Sequence, residues 1–273
     1  MLEQTRTAWL GLLVMLVAGG IASSAASAGP GPFWYHRENA GENGVKIQAV
    51  SPEGFYGTGG TQTLKFTIAG TAVTQTAPGV KITGLIWNNN LQGQAKLRLK
   101  FPPIKVTTPN LPECQPEVFS QKGAHNVLYA EGHLAWAWNG EKKQLEEQKQ
   151  EAQNPDIIFV PPGTQIQQGA SALPTGTFGE IKFPATIGCG VLAGITAAIT
   201  GSTVGHLIQP ENVNQWSNIL RISTTEGTQK QHFWNGEKFI GAEPGLLLAA
   251  LPASLIGEDT LEMLRQEVAV RES

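Results

Sequence analysis

Residues 178–206 run FGEIKFPATIGCGVLAGITAAITGSTVGH, and the reading of this stretch decides the fold. No charged residue falls between Phe183 and Gly205, and Cys189 is one of only 2 cysteines in the chain, the other being Cys114. A membrane-spanning helix needs about 20 apolar residues, and the length nearly fits. The composition argues otherwise. Gly188, Gly190, Gly194, Gly201 and Gly205 sit among Thr186, Thr196, Thr200 and Thr203; glycine weakens a helix and β-branched residues favour strands. From 191 onward the odd positions Val191, Ala193, Ile195, Ala197 and Ile199 are apolar, and the even ones are mostly smaller or polar. That is the period of a strand with one apolar face. Val191, Ile195 and Ile199 also satisfy a helical i, i+4 row, so period alone leaves both readings open, and composition favours the strand. We read the stretch as a buried strand or pair of strands, tied through Cys189 to an earlier part of a sheet.

Working outward, residues 1–28 have the layout of an export signal. Arg6 precedes an apolar run from Ala8 to Ala22, and Ala26-Ser27-Ala28 forms a small-residue cleavage site. An uncleaved N-terminal anchor is the alternative. Residues 29–273 are expected to form one β-rich extracellular domain, with no transmembrane anchor beyond the signal segment. Two cysteines in an exported chain imply a Cys114–Cys189 disulfide. The net charge of −3 has no basic run behind it, which argues against a nucleic-acid partner.

Strand patterns are clearest in three places. Leu64, Phe66 and Ile68 alternate with Lys65 and Thr67. Val80, Ile82, Gly84 and Ile86 alternate with Lys81, Thr83 and Leu85, and Ala95, Leu97, Leu99 and Phe101 with Lys96, Arg98 and Lys100. Short polar links between them suggest an antiparallel meander. Phe33, Trp34 and Tyr35 are expected to plug the body. Val127–Trp138 is a further strand candidate, closed by the hairpin signal Asn139-Gly140. Glu141–Gln153 has too little apolar material for more than an exposed helix or loop. Asp259 with Glu262 resembles a capping box, with Leu261, Leu264 and Val268 on one face, so a short C-terminal helix is expected. The fold expected is mainly β, an antiparallel β-sandwich or open barrel with one disulfide.

Chemistry is sparse. Asp156 and Asp259 are the only aspartates, and the histidines at 36, 125, 133, 206 and 232 lack ligand spacing. No nucleophile elbow or H-E-x-x-H pattern occurs, and neither metal nor cofactor is expected. Glu131 and His133 share a strand face but read as a solvated strand end. Trp136 and Trp138, also i and i+2, could form a sugar-stacking platform, against the alternative of core packing. Trp138–Lys142 recurs as Trp234–Lys238, read as two independent turns rather than a duplication.

Gly31–Trp34, Thr67–Thr71, Leu91–Gln94, Cys189–Gly194, Gln231–Trp234 and Pro252–Gly257 resemble segments of a group of uncharacterised exported proteins from actinobacteria. The resemblance implies secretion and a β-rich body, with no activity or ligand to carry over. The expected function is a secreted non-catalytic β-domain with a binding or structural role at or outside the cell surface, its partner a carbohydrate or cell-surface component. The alternative is an extracellular polysaccharide hydrolase using two glutamates across a cleft.

Overall fold

A computed structural model describes residues 32–37, 44–90, 92–135, 137–139, 156–164, 176–209, 215–224, 231–234, 239–242 and 245–271. The export-signal reading and the expectation for Glu141–Gln153 lie outside them. In chain order the strands begin with β1 (Phe33–His36), β2 (Val45–Lys46), β3 (Glu53–Gly59), β4 (Thr61–Ile68), β5 (Thr71–Pro78), β6 (Lys81–Asn88) and β7 (Gly93–Lys100). Next come β8 (Lys105–Thr108), β9 (Glu117–Ser120), β10 (Val127–Ala135), β11 (Ala137–Asn139), β12 (Asp156–Val160), β13 (Thr177–Lys182) and β14 (Thr196–Gly201). The last are β15 (Thr203–Gln209), β16 (Ile219–Thr224), β17 (Gln231–Trp234), β18 (Phe239–Ala242), β19 (Leu246–Leu248), β20 (Leu251–Met263) and β21 (Val268–Arg271).

Eight of these form a closed antiparallel barrel in the order β3-β6-β7-β10-β12-β15-β16-β20. Closure comes from β16 on β20, with Leu220 opposite Leu261 and Thr224 opposite Gly257. A second sheet, β8-β5-β4-β20-β19-β14-β13-β9, shares β20 with the barrel. The first half of β20 pairs with β19 and β4, the second half with β16 and β3. Alternation explains which faces meet: Leu64, Phe66 and Ile68 point the same way along β4, and Leu97 and Leu99 along β7. The buried residues from both sheets make one hydrophobic cluster.

The expected aromatic plug is present. Strands β2, β1 and β21 form a small sheet that delivers Trp34, almost fully buried, to the barrel end near Gly93 and Leu134. A Cβ at Gly93 would strike both side chains, so glycine is required there. The Asn88 amide clamps the plug: its Oδ1 accepts from Trp34 N–H at 2.8 Å, and its Nδ2 donates to the Trp34 and Ile47 carbonyls at 2.7 and 2.9 Å.

The disulfide Cys114–Cys189 is formed, with both cysteines fully buried. The stretch around it is not one strand, however. A 3₁₀ turn, Ile187–Leu192, interrupts it between β13 and β14. Ile187 and Val191 are 99% and 69% exposed, while Leu192 is buried. The alternation therefore begins later than the sequence suggested, with Ala197 and Ile199 inward. Gly190, at φ 52°, takes a left-handed conformation that ends strand geometry.

Two further expectations are corrected. The C-terminal helix is absent: residues 251–263 are strand and Leu264 is exposed. Leu255, Leu261 and Met263 share one face at period two, and pairing on both edges overrides a local capping pattern. The three clear strands do not form a meander, because β4 belongs to the second sheet while β6 and β7 lie in the barrel. The residues before Asn139-Gly140 form β11, which pairs with the distant β17; the hairpin expected at Asn139-Gly140 lies outside the described residues. The second copy behaves as expected: β17 and β18 pair from Trp234 opposite Phe239.

The disulfide closes a loop of 75 residues. Replacing Cys114 and Cys189 together by Ala is expected to lower unfolding free energy by roughly 2–5 kcal/mol, measured by urea denaturation. An unchanged midpoint would show that the bridge adds nothing to the fold.

Candidate functional site

A cavity of about 140 Å³ lies where the barrel interior meets the inner face of the second sheet. The barrel contributes Ile82, Leu97, Leu99, Phe159, Ile222 and Leu261, and the second sheet Leu64, Phe178, Ile181, Ile199, Leu246 and Leu255. Polar residues interrupt this lining on β4, β5, β15, β16 and β20. They are Gln62, Gln75, Thr76, Thr203, Thr224 and Asp259. Among the described residues no Lys, Arg or His lines the cavity.

Three of these gather around Gly257. Gln62 Nε2 donates to Asp259 Oδ1 at 2.6 Å, and Thr224 Oγ1 donates to the Gly257 carbonyl at 3.2 Å. A Cβ on Gly257 would run into the Gln62 amide, so glycine at this position lets Gln62 reach across to the carboxylate. Burial raises the Asp259 carboxyl from 3.8 to about 6; the Gln62 hydrogen bond opposes this and the Glu258 charge adds to it. Gln75 lies on β5 of the second sheet and Thr203 at the start of β15 in the barrel. Gln75 is 2% exposed, and neither its Nε2 nor Thr203 Oγ1 has a hydrogen-bond partner. Buried polar groups are nearly always satisfied, so orphaned ones in a cavity wall are a sign of a ligand site.

Asp156, His206 and His133 lie on barrel strands β12, β15 and β10, on the face turned away from the cavity. Asp156 sits directly opposite His206, with His206 Nδ1 2.8 Å from Asp156 Oδ1. That hydrogen bond holds the imidazole above its ordinary value against the opposing effect of burial. His133 is not on a solvated strand end: it is 2% exposed, and burial lowers it to about 4, with the Thr164 backbone opposing. Its neighbour Glu131 forms an ion pair with Lys96 at 3.8 Å. Among the described residues no three His, Cys, Asp or Glu side chains come together as metal ligands.

Of the proposed platform, Trp136 lies outside the described residues, and Trp138 is described only by its backbone pairing with His232. Cys114 and Cys189 are structural. Sequence reading assigned no site role to Gln62, Gln75, Thr203 or Thr224, and took Asp259 for a helix cap. A signal for two of them was present: Gln62 falls in the inward register of Leu64, Phe66 and Ile68, and Gln75 in that of Val73 and Ala77. Comparison with protein-family models, curated proteins and solved structures finds no match.

The Asp259 shift has a pH signature. An unfolded carboxyl ionises near 3.8 and the folded one near 6, so between these values the folded chain holds a proton that the unfolded chain has lost. Stability from this group therefore falls as pH rises through that window, and the deficit is complete above it. Asp259→Asn is expected to be more stable than the wild type by roughly 3 kcal/mol above the folded value, with the gap closing in acid. Urea unfolding across a pH series measures this, and a gap constant with pH would refute the assignment.

Proposed function

We propose that this chain is a secreted, non-catalytic binding protein that holds a small, largely apolar ligand in the cavity between the barrel and the second sheet. The observation that carries this reading is the cavity lining, a continuous apolar wall with a few convergent polar side chains, two of them with orphaned polar atoms. At about 140 Å³ the space is comparable to an engineered cavity of roughly 150 Å³ that accepts benzene. A ligand of one ring, or one arm of a longer molecule, matches it.

Export is supported by the layout of residues 1–28, by the buried disulfide and by the resemblance to exported actinobacterial proteins. Among the described residues no helix is long and apolar enough to cross a membrane. Against the hydrolase reading, paired-carboxylate hydrolysis requires two acids flanking the substrate, and among the described residues Asp259 is the only carboxylate in the cavity lining.

Toluene at about five times its dissociation constant is expected to stabilise the purified chain by about 1 kcal/mol, or about 2–4 °C in the unfolding midpoint. Ala130→Leu, which fills the cavity from the barrel wall, should remove that shift, with Leu128→Phe as a second filling variant. No shift with the wild type would defeat the binding reading.

A further inference from the structure

We infer that the ligand is a small apolar amine, bound with its ammonium group on the carboxylate of Asp259 and its apolar body among the leucine, isoleucine and phenylalanine side chains of the cavity. This rests on the binding reading above and assigns the ligand its chemical class.

The argument is one of charge and geometry. Asp259 points inward from β20, in the same register as the cavity-lining Leu255 and Leu261. Among the described residues the half-buried Asp259 side chain accepts a hydrogen bond from the neutral donor Gln62 on Oδ1, and no Lys, Arg or His stands beside it as a counter-charge. A carboxylate withdrawn from water is normally paired with a cation or with several donors. Here a single amide and the nearby Glu258, which repels it, leave the charge under-compensated. Glu258 is itself occupied by Arg221 on the outer side, so that guanidinium neutralises the neighbour rather than Asp259.

The missing element is therefore positive charge, and with no Lys, Arg or His among the described residues of the lining a ligand is the group to supply it. An anionic ligand would place a second negative charge beside the first. A neutral alcohol could donate to Oδ2 but would leave the charge uncompensated. An ammonium group satisfies it with a charge-assisted hydrogen bond, the stronger kind. Gln62 and Thr224, set around Gly257, place acceptor oxygens in the same part of the wall. The cavity volume limits the apolar body to about one aromatic ring.

The test uses four probes of one shape, namely toluene, benzyl alcohol, benzylamine and benzoate, titrated into the full chain by calorimetry at neutral pH. Benzylamine is expected to bind at least tenfold more tightly than benzyl alcohol or toluene, with benzoate weakest. In Asp259→Asn the amine should lose that advantage while toluene binds as before. Gln75→Leu, which leaves the carboxylate in place, should retain the amine preference. Equal affinity for the amine and the alcohol, a preference for benzoate, or an amine preference that survives Asp259→Asn would each overturn the inference while leaving the cavity as a binding site. Failure of all four probes would overturn the binding reading itself.

Discussion

Strand β20 hydrogen-bonds along both edges, and its two halves do so in different sheets. Leu251–Ile256 lies between β19 and β4, and Gly257–Met263 between β16 and β3. Pairing with β16 joins the first and last strands of the barrel, so no edge is left for another chain to extend. Pairing with β4 and β19 holds the second sheet against the same interior. The backbone of 13 residues therefore sets where both layers sit. The changeover falls at Gly257, where a side chain would displace Gln62 from the carboxylate of Asp259. The same geometric requirement thus serves the fold and the polar part of the cavity.

The two ends of the barrel are treated differently. At one end Trp34 fills the space, its indole Nε1 donating to the Gln94 carbonyl at 3.2 Å and its backbone clamped by Asn88. At the other end the second sheet covers the interior, and its facing side chains do not fill it. Interiors are usually packed close to the density of organic crystals, so a space of about 140 Å³ forgoes contact that larger side chains would supply. Ala77 and Ala130 stand at inward positions where bulkier residues would close it. The disulfide bonds the 3₁₀ turn beside β14 to the segment preceding β9, and so steadies the side of the second sheet farthest from β20.

Much of the β character was legible because alternation is a local property. Leu97 and Leu99 against Lys96, Arg98 and Lys100 mark a half-buried strand without reference to any partner. The cysteine pairing was legible because there is only one pairing to make. The C-terminal stretch misled because the spacing of Asp259 and Glu262 satisfies a helical capping pattern, while the residues around them also fit period two. Only the neighbouring strands decide between those patterns. Val191 misled for a related reason: a regular apolar spacing continues through a turn that exists to bring Cys189 to Cys114.

The sequence by itself determined that this protein is built of antiparallel strands and that Cys114 and Cys189 are bonded. Each follows from short-range pattern or from counting. Only the tertiary structure decided that the barrel closes, that β20 belongs to two sheets, and that Gln62, Thr224 and Asp259 meet in one wall. Those residues are far apart in the chain and come together through cross-strand register. Hydrogen bonding between strands sets that register, and no residue carries it alone.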